Sequence, residues 1–166
     1  MRRISGAVLA VVLAAVVPGC GSASSAEPVA EVRQLPADML PTSLMGLTVK
    51  REDVKETLER GKQSFVDALG LYSFRRDDLL HATLQVSRFS ADADVDDPQF
   101  RAQLIANLGT GGRSQLRLSD DTVYLTSGQR QNVAVWFRDR YLFVLNVRQD
   151  FEQPRGLLRQ ALRFRP

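Results

Sequence analysis

The chain has 166 residues, with 22 Lys and Arg against 19 Asp and Glu, one cysteine and one histidine. This length suits one ordinary domain with its own apolar core, and a single cysteine excludes an internal disulfide. Arg2 and Arg3 lie in an N-terminal segment that we expect to be removed. The remaining charge is then nearly balanced and gives no support to nucleic-acid binding.

The N-terminus has the organisation of an export signal. Arg2 and Arg3 precede an apolar run from Ala7 to Val17. A basic head, an apolar run of about 7–15 residues and small residues at its end are typical of a secretory signal. A helix that spans a bilayer needs about 20 apolar residues, so the run is too short for one. We therefore predict a signal peptide over residues 1–19.

The end of that run, Val17-Pro18-Gly19-Cys20, resembles the lipobox of bacterial lipoproteins. The resemblance implies that Cys20 is diacylated and becomes the first residue of a protein anchored on the extracytoplasmic side of the cell membrane. Pro18 stands where that family usually has Ala, Ser or Thr. Two alternatives stay open, namely an ordinary secretory signal cut near Gly19 or Ala23 and a twin-arginine signal.

Residues 20–42 are predicted to be a flexible tether, because serine and proline are frequent there and large apolar residues are few. Leu35, Met39 and Leu40 could dock onto the domain and order the last part of the tether. The globular domain is predicted over residues 43–166, starting with an edge strand or extended entry at residues 43–49.

The first half of the domain has helical and strand signals in turn. Apolar residues and a glycine recur every three or four positions at Val54, Leu58, Gly61, Phe65 and Leu69. This spacing predicts a helix that ends at Gly70. Alternation predicts a strand around residues 80–86, with a polar turn at residues 75–78 before it. Asp97 and Pro98 predict the start of a second helix.

From Ser114 onward the apolar period changes to two, with turns near residues 120, 128 and 139. This pattern predicts an antiparallel meander of about four strands. Pro154 starts a last helix whose residues Leu157, Leu158, Ala161 and Leu162 should face inward. We therefore expect a single α+β domain, with an antiparallel meander sheet of about four or five strands and helices mainly on one face.

Charge is distributed unevenly along the chain. Residues 21–112 carry 10 basic and 14 acidic side chains, whereas residues 113–166 carry 10 arginines and 5 acidic side chains. The basic half could face anionic headgroups or an acidic partner. Alternatively, the two halves pack against each other as a dipolar domain.

Known catalytic and metal-binding patterns are not matched, and we predict no catalytic residue, no metal and no cofactor. Asp92, Asp94 and Asp96 have the spacing of calcium-loop oxygens, but Asp97 and Gln103 stand where an EF-hand loop needs glycine and glutamate. A Gly-x-Ser-x-Gly elbow, a Ser-x-x-Lys pair and a His-Glu-x-x-His helix do not occur. A distant carboxylate pair stays open as a basis for hydrolysis.

Trp136 is the central residue of the one binding patch that the sequence suggests. On a strand, Val133, Val135 and Phe137 share a face and Trp136 lies on the other. If helices cover one face only, Trp136 is exposed beside Arg138, with Tyr124 and Arg148 on nearby strands. Aromatic and arginine patches suit protein or ligand contact. The alternative is a tryptophan in the core beneath the last helix.

The sequence thus predicts a non-enzymatic, membrane-anchored lipoprotein of the cell envelope that binds a protein partner or a ligand outside the cytoplasmic membrane. Two alternatives stay open: a sensor or structural accessory subunit of a membrane complex, and an envelope hydrolase that uses carboxylates.

Overall fold

The computed structural model describes residues 32–54, 65–108, 113–118, 121–127 and 130–165. The predicted signal peptide, Cys20 and most of the predicted first helix lie outside these residues. In the part that the structure describes, no helix is long and apolar enough to cross a membrane.

Nine β-strands in the described part of the chain form one sheet. Their bounds are β1 Arg33–Gln34, β2 Ser43–Leu44, β3 Leu47–Glu52, β4 Val66–Arg76, β5 Leu79–Phe89, β6 Arg113–Leu118, β7 Asp121–Ser127, β8 Gln131–Arg138 and β9 Tyr141–Arg148. The strand order is β2-β3-β4-β5-β9-β8-β7-β6, and β1 lies parallel to β4. The other neighbours are antiparallel, so β2 and β6 are the two ends of the sheet.

Three of the hairpins turn within two residues, and each has a residue with positive φ. Met45 and Gly46 have φ of 53° and 73° between β2 and β3, and Asp77 and Asp78 have 49° and 62° between β4 and β5. Asp139, with φ 49°, begins the turn between β8 and β9. Two-residue turns of this kind match the twist of the flanking strands, and aspartate tolerates them better than most residues.

Two α-helices cover opposite faces of the sheet: α1 is Pro98–Asn107 and α2 is Pro154–Ala161. Side chains alternate along each strand, so each face has its own core. The core of the α2 face includes Tyr72, Phe74, Leu84, Val86, Val123, Trp136, Phe143, Leu145, Val147, Leu157, Leu158 and Ala161. The core of the α1 face comprises Phe89, Val95, Leu104, Leu108, Val135, Leu142 and Val144.

The predicted α+β class, with four or five strands and helices mainly on one face, is wrong. The described part of the chain is mostly β, and its two short helices lie on different faces of a nine-stranded sheet. The four strands predicted after Ser114 are present as β6–β9. The predicted strand around residues 80–86 is present as β5, and β2 and β3 lie at the predicted entry of residues 43–49. The errors are β1 and β4, which were not predicted, and the placement of the helices, which lie on both faces.

The predicted helix over residues 54–69 is wrong in its last part, because residues 66–76 form β4. Gly70 lies inside this strand and does not cap a helix. A Cβ at Gly70 would lie 2.9 Å from the ring of Tyr72 and 3.2 Å from the Cβ of Leu35. Glycine therefore makes room for an aromatic ring and for the N-terminal segment to pack against β4.

Strand β1, at Arg33–Gln34, lies inside the predicted tether of residues 20–42. Leu35 and Leu40 are each 4% exposed, as their expected docking requires. The carbonyl oxygen of Leu35 accepts a hydrogen bond from Arg51 at 2.9 Å, and that of Pro36 accepts one from the Tyr72 hydroxyl at 2.9 Å.

Candidate functional site

Apolar side chains on the α2 face become more exposed toward the β6 end of the sheet. Leu145 on β9 and Ala134 on β8 are buried, Leu125 on β7 is half-buried, and Leu116 on β6 is 42% exposed. Helix α2 has only eight residues, about 12 Å of helix. Val123 on β7 is still fully buried, so the cover of this face decreases across β7 and is incomplete at β6.

This uncovered area is part of a groove of about 530 Å³, which we call the edge groove. Strands β6–β9 and helix α2 line it. Its apolar lining residues are Leu116, Leu118, Leu125, Val133, Ala134, Leu145, Val147, Pro154 and Leu158, and its polar ones are Ser114, Thr126, Asn132, Arg155 and Arg159. The volume lies within the range of about 300–1,000 Å³ that is usual for small-molecule sites.

Local sequence signals explain how the groove is built. Apolar residues alternate along β6 as Leu116 and Leu118 and along β7 as Val123 and Leu125, and the register pairs Leu116 with Val123 and Leu118 with Asp121. The alternation places Leu116 and Leu118 on the α2 face. Pro154 starts α2, whose Leu157 and Ala161 bury against the central strands. Helix α2 thus forms one wall, and the leucines of β6 and β7 extend the floor beyond it.

Arg155 and Arg159 lie one helical turn apart at the groove, and both are exposed. Among the described residues, neither guanidinium has an ion-pair or hydrogen-bond partner. Other arginines of the domain are paired, such as Arg88 with Asp67 and Arg148 with Asp150. The arrangement can hold an apolar group on the floor and offers two exposed cations beside it.

The basic part of the sequence forms one region of the molecule. Residues 113–166 supply β6–β9 and α2, which are neighbours in space, whereas β1–β5 form the other part of the sheet. The ten arginines counted in the sequence are therefore concentrated on the part of the domain that contains the edge groove.

A second cavity of about 550 Å³ is polar and lies at the β3–β4 end of the sheet. It is lined by Thr48, Lys50, Glu52, Arg75, Asp77 and Asp78. Glu52 accepts a hydrogen bond from the Ser73 hydroxyl at 2.5 Å and lies 3.8 Å from Arg75. Its carboxylate is therefore engaged by its neighbours. The hydrolase alternative stays a prediction.

The expected exposure of Trp136 is wrong. Its side chain is 0% exposed, and its ring stacks on Phe143 with centroids 5.0 Å apart. The prediction assumed that one face lacks a helix, but α2 covers the face of Trp136 and α1 packs near Val135. Trp136 is therefore part of the core, which was the alternative.

Arg138 lies on the same face as Trp136 and is used inside the fold. Its guanidinium donates to the Asp121 carboxylate and to the carbonyl oxygens of Leu162 and Phe164 at 3.0 and 2.6 Å. The side chains of Arg138 and Asp121 are 10% and 12% exposed. Arg138 therefore ties the end of the chain to the sheet.

Tyr124 and Arg148 do not join Trp136 in one patch. Tyr124 is paired across the strands with Val135 and packs against the core of the α1 face. Arg148 forms an exposed ion pair with Asp150. The hydrogen bond from Arg148 holds the pKa of that carboxyl below its usual value. The structure thus distributes the four predicted binding residues between two faces.

Sequence reasoning did not single out the edge groove. Leu116, Leu118 and Leu125 were assigned to strands, and Leu158 to the inner face of the last helix, without a sign that they meet at an uncovered edge. One signal was available in Arg155 and Arg159, which stand four residues apart and flank Leu158. Among the described residues, no group of three potential metal ligands is present.

Compared with protein-family models, curated proteins and solved structures, the chain has no match in any of the three.

Proposed function

We propose that this chain is a binding protein of the cell envelope that holds the apolar part of a ligand in its edge groove and is anchored to the membrane through Cys20. The observation that carries the proposal is the groove itself, with an apolar floor that reaches from buried Leu145 to exposed Leu116. Concave, mostly apolar sites with a few polar groups are the usual form of a small-molecule site.

Exposure of leucine at this edge has a cost that binding would offset. Burying a leucine side chain contributes about 1.5–3 kcal/mol, and Leu116 keeps much of its surface in water. A ligand that covers Leu116, Leu118 and Leu125 recovers part of this free energy. Large apolar residues at an exposed sheet edge also favour unwanted association, so an occupant of the groove protects the edge.

Glutamate substitution in the groove tests the proposal. We expect Nile red, a neutral apolar dye, to bind to the purified domain, and Leu116→Glu to weaken this binding about tenfold or more because a charge replaces apolar contact. Leu79→Glu is the matched control, since Leu79 is 49% exposed and lies outside the groove. Dye fluorescence titrations give both affinities. No saturable binding, or equal losses in the two variants, would contradict the proposal.

The anchor has its own test. Cys20→Ala should move the protein from the membrane fraction to the soluble fraction, because a diacylated cysteine is the proposed attachment. Ser22→Ala, two residues away, should leave the protein with the membranes. An alanine variant at Cys20 that still sediments with membranes would exclude lipidation of Cys20 as the anchor.

A further inference from the structure

The two arginines of the edge groove repel each other, and one of them stands where the helix does not favour a cation. Arg155 stands in the first turn of α2, and that turn contains no acidic residue. The N-terminus of a helix carries a partial positive charge, so a cation there is unfavourable. Arg159 follows at four positions, in the last turn, where the helix favours a cation, but it repels Arg155. Neither effect is relieved by a partner among the described residues.

The described residues of the groove do not compensate this positive charge. They include two arginines and no aspartate or glutamate. Arg138, on the same face, is satisfied by Asp121 and by two carbonyl oxygens and lies outside the lining. An anion at Arg155 and Arg159 would supply a counter-charge that none of the described residues provides.

Charge and apolar surface meet in one space. Leu158 lies between the two arginines in the sequence and lines the same groove, whose floor continues to Leu118 and Leu125. A ligand that touches both parts needs an apolar body and an anionic end. Arginine suits such an end, because its guanidinium can donate two parallel hydrogen bonds to a carboxylate or phosphate.

We infer that the edge groove binds a single-chain anionic amphiphile, with the apolar chain over the leucines of β6 and β7 and the anionic head at Arg155 and Arg159. This inference rests on the proposed function and adds the class of ligand and its orientation. Charge complementarity favours this occupant over a neutral lipid, which would leave both cations unpaired, and over a second copy of this chain, which would bring two like-charged grooves together.

Calorimetric titration with dodecanoate and with dodecanol, below their aggregation concentrations, tests the inference. The two probes have the same chain and differ in the charge of the head. We expect dodecanoate to bind about tenfold tighter than dodecanol, which corresponds to about 1.4 kcal/mol. The difference should shrink as salt is raised, because the head and the arginines are partly exposed.

Variants assign the effect to the two arginines. Arg155→Gln with Arg159→Gln should remove the preference for dodecanoate, so that the two probes bind with similar affinity. Arg163→Gln is the matched control, since Arg163 is exposed near the end of α2 and does not line the groove. All three positions are exposed, and thermal unfolding confirms that the variants fold. A second double variant, Arg155→Lys with Arg159→Lys, should keep part of the preference.

The outcomes separate the inference from the proposed function. The inference is overturned if dodecanoate and dodecanol bind equally, or if the preference for dodecanoate survives in the double glutamine variant. In either case, binding of Nile red would still support an apolar site. The inference is also overturned if an acidic extended peptide competes with dodecanoate and binds in its place. It is overturned as well if analytical ultracentrifugation shows a dimer that Leu116→Glu dissociates, because the groove is then covered by a second copy of the chain. If Nile red, dodecanol and dodecanoate all fail to bind, the proposed function falls as well.

Discussion

At the scale of single residues, Tyr72 connects the N-terminal segment to the sheet. Its side chain is 1% exposed, and its hydroxyl donates to the carbonyl oxygen of Pro36. Burial raises the pKa of Tyr72 above 10.0, opposed by the positive charge of Arg51 and assisted by the carboxylate of Asp38. The folded chain therefore holds this proton more tightly than the unfolded chain does.

Tyr72→Phe tests this linkage. The raised pKa stabilises the wild type fully below about pH 10, and this stabilisation is lost as the pH rises through the folded-state value. We expect the phenylalanine variant to be about 1 kcal/mol less stable at pH 7, because the hydrogen bond to Pro36 is gone. Between pH 9 and pH 11 its free energy of unfolding should fall less steeply than that of the wild type. Urea denaturation at several pH values measures both slopes, and equal slopes would contradict the linkage.

At the scale of elements, two glycines differ in whether their neighbours leave room for a larger side chain. We expect alanine to be tolerated at one of them and not at the other. A Cβ at Gly70 in β4 would meet the Tyr72 ring and Leu35, which are both buried. A Cβ at Gly156 in α2 would meet only the mobile end of the Met45 side chain at 2.9 Å and atoms farther away. Tyr72 and Leu35 cannot shift without disturbing the core, whereas the end of the Met45 side chain can rotate away.

Alanine substitution at both glycines checks this difference. Gly70→Ala should destabilise the domain by about 1–3 kcal/mol, because overpacking forces buried neighbours to shift. Gly156→Ala should stay close to the wild type or gain up to about 1 kcal/mol, because alanine favours a helix interior over glycine. Thermal unfolding of the two variants gives the comparison. Similar losses at both sites would show that Met45 is as constrained as Tyr72.

Elements with local signals were predicted well from the sequence. Helix α1 begins as expected, because the Asp97 side chain accepts a hydrogen bond from the backbone of Gln99 at 2.9 Å and Pro98 occupies the first helical position. Strand β4 was missed because apolar residues at 65 and 69 fit a helix as well as a strand. Its conformation depends on β3 and β5, which pair with it on both sides.

At the scale of the whole molecule, the candidate site follows from what α2 leaves uncovered. Leu116 and Leu158 are 42 residues apart in the sequence. The strand pattern around Leu116 and the helical pattern around Leu158 indicate only which face of its own element each leucine occupies. Whether a helix of eight residues reaches the last strands depends on where it crosses the sheet. The groove, like the burial of Trp136, is therefore a property of tertiary packing that local patterns do not contain.

The N-terminal segment belongs to the domain by the same kind of packing. Leu35 and Leu40 join the core of the α2 face, β1 pairs with β4, and Pro36 provides the acceptor of Tyr72. Burial of two leucines contributes roughly 3–6 kcal/mol, as an upper estimate. This is a large part of the about 5–15 kcal/mol that stabilises an ordinary domain.

Truncation tests how much of the stability depends on that segment. A chain of residues 32–166 contains every element from β1 to α2 and is the reference. A chain of residues 43–166 should lose several kcal/mol, since it lacks both leucines and leaves the Tyr72 hydroxyl without its acceptor. In the longer chain, Leu35→Ala with Leu40→Ala should reproduce most of this loss, since each removes a buried leucine and leaves a cavity. Guanidinium denaturation of the three proteins gives the comparison. If residues 43–166 unfold at the same midpoint as residues 32–166, the segment of residues 32–42 packs on the domain without stabilising it.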